Sequence, residues 1–237
     1  MTSSPGSALA PTGTLRAVIN LGNPVLAAGT ADAPTGVTVE LARELAERLG
    51  VPLALRTVTG AKAAFTALVD GEVDLAFLAD EPARAAQVTF TAPYLFIEGG
   101  YAVPAASGID SADQVDRPGV RIGVKEGSAY DLFLTRTLQH AELVRGTDGT
   151  AVFAEQGLDV AAGIRQPLTA YAAEHGLRVL EPAFMQIRQA VAGPRELPAE
   201  AAVYLAGFVE DAKASGLVTA ALERAGQTAT LAPAAGD

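Results

Sequence analysis

The sequence predicts an α/β protein built from two lobes of similar plan, with two extended segments that connect the lobes. Strand, helix, strand, helix and strand follow one another between Leu15 and Leu78, which is the order of a parallel α/β unit. The same order restarts near Gly119. Two long extended segments, Leu95–Pro104 and Phe184–Ala192, lie between these regions and predict the crossings.

The first lobe begins with a strand and an amphipathic helix. Val37, Leu41, Leu45 and Leu49 recur every four residues with charged side chains between them, so they share one face of a helix. Gly50 is placed to end that helix in the left-handed conformation. The other elements predicted here are the strands Leu15–Ile19, Leu53–Val58 and Asp74–Leu78 and the helix Ala61–Val69.

The second lobe repeats this plan, and the chain then returns to the first. The elements predicted for it are the strands Val120–Val124, Leu158–Ile164 and Leu177–Leu180 and the helices ending at Leu138, Gln156 and Glu174. After the return, Pro198 begins the longest helix and Leu217–Ala225 forms the last one. We therefore expect one lobe from residues 15–100 plus 190–226 and the other from 101–189. Residues 1–14 and 227–237 are rich in small residues and are expected to be disordered.

Composition excludes several classes of function. The chain of 237 residues carries 17 basic and 27 acidic side chains, a net charge of −10, which argues against binding to nucleic acid or to an anionic membrane. Cysteine is absent, so disulfides and thiolate metal sites are excluded. His140 and His175 have no histidine partner at helical spacing, so no metal site is predicted. We expect no cofactor.

The first candidate site follows a strand of the first lobe. The buried strand Asp74–Leu78 runs into the charged loop Asp80–Arg84, and open α/β sheets bind ligands beyond the carboxyl ends of such strands. The Arg84 guanidinium is suited to grip a carboxylate with two parallel hydrogen bonds. The alternative is a solvated Arg84, or one in a local salt bridge with Asp80 or Glu81.

A second candidate site opens the helix that follows Val120–Val124. Ser128 and Asp131 have the spacing of a capping box, and a glycine loop precedes them. One interpretation is a well-capped helix and nothing more. The other is an anion site at the helix N-terminus, where free N–H groups and the positive end of the helix dipole converge.

Taken in order, these segments resemble the family 3 extracellular solute-binding proteins, which serve ABC importers for amino acids and related polar compounds. The resemblance covers Thr14 to Gly226. It rests on five features: the helix G-V-T-V-E-L-A-R-E-L-A-E-R-L-G, the strand G-E-V-D-L-A-F, Arg84, the segment F-T-A-P-Y and the loop G-S-A-Y-D.

The resemblance implies the periplasmic-binding-protein fold of type II, with a ligand cleft between two lobes joined by hinge strands. It implies that Arg84 clamps the carboxylate of a small solute. It also implies that the loop Gly127, Ser128, Ala129 and Tyr130 adds hydrogen-bond donors to the same group. The expected partners are a small carboxylate and the permease of an ABC importer, and we expect a monomer.

Three departures from the family pattern affect the expected ligand. Ala79 and Asp80 stand where the family often has serine or threonine, in a loop about two residues shorter than is common. Asn23-Pro24 replaces an aromatic after the first strand. Ile164-Arg165-Gln166 stands where an acidic residue usually pairs with the ligand ammonium. The predicted ligand-binding residues are Asn23, Ala79, Asp80, Arg84, Gly127, Ser128, Ala129, Tyr130, Arg165 and Gln166.

These departures leave the charge of the solute open. Either Asp80 or Glu98 supplies the negative charge for an ammonium, or the solute lacks an ammonium and carries a second anionic or polar end near Arg165. Arg165 also has a plainer interpretation, as an exposed or salt-bridged side chain.

The leading hypothesis for function is a binding protein without catalysis. An enzyme on the same scaffold, similar to cyclohexadienyl dehydratase, is the first alternative; it needs a proton donor, and Asp80 and Glu98 are the candidates. A ligand-sensing module is the second. The resemblance implies a periplasmic or extracellular location. However, residues 1–14 lack the basic and apolar regions of a secretory signal, so a trimmed chain and a cytoplasmic relative both stay open.

Overall fold

The computed structural model describes residues 5–236, which form two compact units. Unit 1 comprises residues up to Phe96 and from Arg188 onward, and unit 2 comprises Ile97–Ile187. The chain passes between them twice, inside two long strands. The first segment of unit 1 contains α1 (Pro5–Leu9), β1 (Leu15–Asn20), β2 (Ala28–Gly29), β3 (Pro34–Thr35), α2 (Val37–Leu49), β4 (Leu53–Val58), α3 (Ala61–Val69), β5 (Leu75–Ala79) and α4 (Pro82–Ala85).

The crossing strand β6 (Val88–Pro104) leads into unit 2. Unit 2 continues with a 3₁₀ turn (Ala112–Gln114), β7 (Arg121–Lys125), α5 (Ala129–Thr137), β8 (Glu142–Gly146), α6 (Gly149–Gln156), β9 (Val160–Ile164), α7 (Arg165–Glu174) and β10 (Leu177–Val179). The returning strand β11 (Met185–Pro194) is followed in unit 1 by α8 (Ala199–Ala214), α9 (Leu217–Arg224) and β12 (Thr230–Leu231).

The sheet of unit 1 is arranged around β5. This strand is buried along its whole length, as its apolar run predicts, because β1 pairs with one edge in parallel and β11 with the other in antiparallel. One face packs on α3 through Ala76, Leu78 and Leu68. Asp74 fixes the start of β5 to β1, since its carboxylate accepts hydrogen bonds from the backbone N–H and the guanidinium of Arg16.

The helix predicted from its four-residue spacing is α2. Val37, Leu41 and Leu45 are buried on one side of it. Gly50 ends the helix at φ 67°, and its N–H donates to the carbonyls of Ala46 and Glu47. The spacing and the terminal glycine therefore predicted the position of this element correctly.

In unit 2, β9 lies between β6, which it pairs in antiparallel, and β7, which it pairs in parallel. The sheet continues through the parallel pair of β7 and β8. The sequence did not predict β8, whose short segment E-L-V-R-G has no clear alternation. The helix predicted to end at Glu174 does so, and it begins at Arg165, directly after β9.

Both ends of the chain depart from the expected disorder. Residues 1–4 and 237 of those segments lie outside the described part. Pro5–Leu9 forms α1, which packs on α8 and leaves Leu9 only 1% exposed. Burial of this one leucine side chain stabilises the short helix, and the composition of the segment gives no indication of such a contact.

At the other end, Thr230–Leu231 pairs in antiparallel with β6. The N–H of Ala232 donates to the carbonyl of Tyr94 at 3.2 Å, and Lys213 Nζ donates to the carbonyl of Pro233 at 2.7 Å. These bonds are made by backbone groups, so the identity of the side chains gives little indication of them. The expectation of a disordered tail was wrong for this segment.

Candidate functional site

Arg84 lies just beyond the carboxyl end of β5, in the short helix α4 that Pro82 opens. The side chain is buried, with 3% exposure, so the solvated alternative does not apply. Its Nη1 donates to the carbonyl of Ala79, the last residue of β5, at 3.2 Å. This bond turns the guanidinium back toward the end of the strand.

The burial of Arg84 has an electrostatic consequence. Desolvation lowers the pKa of the guanidinium to about 10, although the nearby Glu81 carboxylate opposes this shift. The side chain is still charged at neutral pH. A cation held away from water attracts an anion far more strongly than a solvated one.

Asp80 follows Ala79 and remains partly exposed, with 35% of its side chain accessible. Its N–H donates to the carbonyl of Arg188 at 2.9 Å, and its carboxylate lies 3.9 Å from Arg188 Nε. The crossing strand β11 therefore places a cation next to this acid. Sequence reasoning did not pair these residues, because 108 positions separate them.

Asn23 follows β1, the strand next to β5. Its Oδ1 accepts a hydrogen bond from the N–H of Val25 at 3.3 Å, and its own N–H donates to the carbonyl of Asn20. The side chain is buried, with 7% exposure. Its amide oxygen thus shapes the loop after β1, in the manner of an Asx turn.

A cleft of about 310 Å³ lies on unit 1 next to this loop. It is bounded by the segment after Asn23, the β2–β3 hairpin, the first turn of α2 and the end of α9. An ion pair between Glu40 and Arg224 forms part of its wall. The lining contains none of the predicted ligand-binding residues. The lining residues are Pro24, Val25, Leu26, Ala27, Ala28, Thr35, Gly36, Glu40, Arg224 and Ala225.

In unit 2, the loop after β7 forms the predicted cap of α5. Ser128 is the N-cap, and its Oγ accepts a hydrogen bond from the N–H of Asp131 at 3.1 Å. Gly127 adopts φ 67°, and its N–H donates to Asp131 Oδ2 at 2.8 Å. The N–H of Ser128 donates to the carbonyl of Lys125. The capping interpretation of this segment is therefore confirmed.

The same bonds define which donors remain for an anion. Within residues 5–236, neither the N–H of Ala129 nor that of Tyr130 has an intrachain acceptor, as is usual for the first turn of a helix. Tyr130 is buried, and this burial raises the pKa of its phenol, so the hydroxyl is protonated at neutral pH. An anion site here would use these two amides, not those of Gly127 and Ser128.

Asp131 stabilises this loop through hydrogen bonds with Gly127 and Ser128. It is 3% exposed, and its Oδ1 accepts hydrogen bonds from Arg145 Nε at 3.0 Å and from Thr135 Oγ1 at 3.2 Å. Arg145 comes from β8, the strand that the sequence did not predict. Its charge compensates the buried carboxylate beside the helix N-terminus.

Arg165 is the first residue of α7 and directly follows β9, the strand that pairs with β7. Gln166 is the next residue of the first turn and is partly buried. The Arg165 guanidinium pairs with two carboxylates: it donates to Glu181, and its Nη1 lies 3.4 Å from Glu98 Oε2. The hydrogen bond to Glu181 contributes most to raising the pKa of Arg165. The salt-bridged interpretation of Arg165 therefore describes the structure. Its charge is already balanced, which removes the reason to place a second anionic end of the ligand against it.

The predicted residues thus gather at two strand ends in each unit. In unit 1, Asn23 follows β1, while Ala79, Asp80 and Arg84 follow the parallel neighbour β5. In unit 2, the loop from Gly127 to Tyr130 and the pair Arg165 and Gln166 follow the parallel neighbours β7 and β9. Both sets lie where parallel sheets place ligand-binding groups. Among the described residues, no cluster of acidic or histidine side chains is arranged to hold a metal ion.

Comparison with known proteins decides the family. The model of the bacterial extracellular solute-binding proteins, family 3, matches residues 17–232. The chain belongs to this family. A search of curated protein sequences finds no match. None of the helices in residues 5–236 is both long and apolar enough to span a membrane.

Solved structures share the fold of this solute-binding protein. The solute receptor for L-cysteine of Neisseria gonorrhoeae has a TM-score of 0.78 at 23% identity, over 93% of this chain and 92% of that one. An amino acid ABC transporter substrate-binding protein from Streptococcus pneumoniae, bound to L-arginine, has a TM-score of 0.77 at 19% identity, over 97% of this chain and 100% of that one. An ancestral amino acid-binding protein, described as a precursor of cyclohexadienyl dehydratase, has a TM-score of 0.75 at 20% identity, over 94% of this chain and 99% of that one.

Sequence reasoning missed an aromatic cluster in unit 2 of this solute-binding protein. Tyr101 stacks on Phe184 with ring centroids 4.1 Å apart, and Phe133 of α5 lies 6.0 Å from Phe184. The three rings come from β6, α5 and the loop before β11. Isolated aromatics spaced so widely along the chain give no indication that they will meet.

Proposed function

We propose that this protein captures a small carboxylate-bearing solute, an amino acid or a related organic acid, for the permease of an ABC importer. The buried Arg84 guanidinium at the carboxyl end of β5 carries the proposal. Membership of a family of extracellular solute-binding proteins supports an extracytoplasmic location. It also supports an import role, and solved structures of the same fold include amino acid-binding components of ABC transporters.

In this proposal Arg84 of unit 1 holds the solute carboxylate. The first-turn amides at Ala129 and Tyr130 of unit 2 are separately suited to an anionic group, because they lie at a helix N-terminus. A bound solute would favour the conformation that binds it most tightly, and a permease can distinguish that conformation from the solute-free one. Each unit supplies its part from a strand end or a helix start, where the scaffold is rigid.

A binding role of this kind requires no proton donor. The two acids nominated as proton donors, Asp80 and Glu98, each lie beside an arginine, Arg188 at 3.9 Å and Arg165 at 3.4 Å. They are engaged in ion pairs and do not stand alone as donors. The purified protein should therefore not turn over prephenate, and measurable elimination of water and carbon dioxide would instead favour the dehydratase alternative.

Calorimetric titration tests the binding role. The panel consists of the standard L-amino acids, dicarboxylates and keto acids, with wild type and Arg84→Met compared. Two hydrogen bonds to a charged group contribute about 3 kcal/mol, so Arg84→Met should weaken binding by roughly 100-fold. Arg56→Met, which removes a surface arginine paired with Glu72, is the matched control and should leave affinity unchanged.

The pKa of Arg84 adds a second readout. Affinity for a carboxylate should be constant from pH 7 to 9 and should fall as the pH rises through about 10, because the free protein then loses this charge. Equal affinity of wild type and Arg84→Met would contradict the proposal. Tight binding of lysine or arginine would keep the role of Arg84 and would show that the far end of the solute is cationic.

A further inference from the structure

Gln189 of β11 is a buried amide beside the Arg84 site. Its exposure is 5%, and in the antiparallel register it lies opposite Ala79, the last residue of β5. Directly opposed residues of an antiparallel pair point to the same face, with Cβ atoms about 5 Å apart. The Gln189 side chain therefore starts next to Ala79, on the same face of the sheet.

The structure shows no hydrogen bond of the Gln189 side chain within residues 5–236, yet its amide atoms are not among the buried polar atoms left without a partner. The amide therefore keeps some contact with solvent, although the residue as a whole is only 5% exposed. A glutamine carries two N–H donors and a carbonyl acceptor. Because no group of the described chain engages this amide and solvent reaches it, it is available to a partner from outside the chain.

Gln189 lies next to the backbone groups that position Arg84 and Asp80. The carbonyl of Ala79, its cross-strand neighbour, accepts the bond from Arg84 Nη1. The carbonyl of Arg188, its chain neighbour, accepts the N–H of Asp80. Gln189 thus lies against the same strand end that holds the cation, and both belong to unit 1.

We propose that Gln189 is a specificity-determining residue that hydrogen-bonds an uncharged polar group, a hydroxyl or a carboxamide, on the solute whose carboxylate Arg84 holds. This inference rests on the proposed function. A neutral amide that both donates and accepts suits a neutral polar group better than a second charge. The pairing of Arg165 with Glu98 and Glu181 agrees with this, because it leaves that arginine balanced.

Matched solutes that differ in one polar group test the proposal. The pairs are L-serine with L-alanine, L-threonine with L-valine, L-glutamine with L-norvaline, and lactate with propionate, each titrated calorimetrically into wild type and Gln189→Met. Wild type should prefer the polar member of at least one pair by about tenfold, the effect of leaving a buried donor or acceptor unpaired. Gln189→Met should reduce that preference to below about threefold.

Two controls separate recognition from folding. Without solute, Gln189→Met should unfold at the same denaturant concentration as wild type or a higher one, since the amide has no partner to lose. Gln186→Met makes the same change at an exposed position of β11 and should keep the preference of wild type.

Each remaining outcome is decisive. An unchanged preference in Gln189→Met, or a less stable solute-free protein, would overturn the role of Gln189 while leaving the proposed function intact. If wild type prefers the polar member of no pair, the predicted class of solute is wrong. The titrations of wild type and Arg84→Met then decide separately whether a carboxylate is bound.

Discussion

At the scale of single residues, buried polar groups separate into those the chain satisfies and those it does not. Asp74 and Asp131 each accept several hydrogen bonds from neighbouring backbone and arginine groups. Tyr94 differs: it is 0% exposed, and among the described residues its hydroxyl has no partner. Its ring meets Phe77 edge to face, with centroids 6.4 Å apart. The ring, not the hydroxyl, therefore accounts for the packing of Tyr94.

We predict that Tyr94→Phe leaves the protein as stable as wild type or stabilises it by about 1 kcal/mol, because the change removes a buried hydroxyl that no group compensates. Urea unfolding of both proteins without solute measures this. Tyr94→Leu is the control for the ring and should destabilise by about 2 kcal/mol, since it leaves a cavity beside Phe77. A marked loss of stability in Tyr94→Phe would show that the hydroxyl is hydrogen-bonded in solution.

At the scale of elements, helix α6 packs unusually close to the sheet of unit 2. A Cβ on Gly149 would lie 2.6 Å from the carbonyl oxygen of Ala162 in β9, and one on Gly123 would lie 2.6 Å from the carbonyl oxygen of Gly149. Both neighbours are backbone atoms, which cannot rotate away as the end of a side chain can. The N-cap Asp148 holds the first turn of α6 in this position through the N–H groups of Thr150 and Ala151.

Gly149→Ala should therefore destabilise the protein by about 2 kcal/mol, because the helix must shift away from β7 and β9 to admit one methyl group. Gly207→Ala in α8 is the matched control. Nothing lies within 4 Å of its added Cβ, and the better helix propensity of alanine should stabilise by about 0.8 kcal/mol. Denaturant unfolding distinguishes the two, and equal effects would show that the close packing of α6 is not maintained in solution.

At the scale of the whole molecule, the ends of the chain belong to unit 1. Helix α1 packs on α8, β12 adds to β6, and Lys213 donates to the carbonyl of Pro233. Lys213 is only 6% exposed. The terminal segment therefore provides an acceptor for a buried cation in addition to its backbone pairing.

Removal of residues 230–237 should lower the free energy of unfolding by about 3 kcal/mol, since it leaves the Lys213 ammonium with one acceptor fewer and exposes one edge of β6. Thermal unfolding of the truncated protein measures the effect. Lys213→Met in the truncated chain should recover part of the loss, because it removes the buried charge. If truncation has no effect, the pairing of β12 contributes nothing to stability.

Features that depend on residues close together in the chain were the ones predicted from the sequence. The buried strand β5, the helix α2 with Gly50 and the Ser128 cap were predicted correctly, because apolar spacing and capping chemistry act over a few residues. The strand β8 and the pairing of β12 were not predicted, since their partners lie elsewhere in the chain.

For the candidate site, the sequence alone determined which chemistry is present: an arginine after a buried strand, a capped helix start and no thiol. Only the tertiary structure decided how each charge is used. It buried Arg84, balanced Arg165 with two carboxylates and set Gln189 opposite Ala79. Burial and ion pairing depend on residues brought together from distant parts of the chain, and a pattern read over a few neighbours contains no information about them.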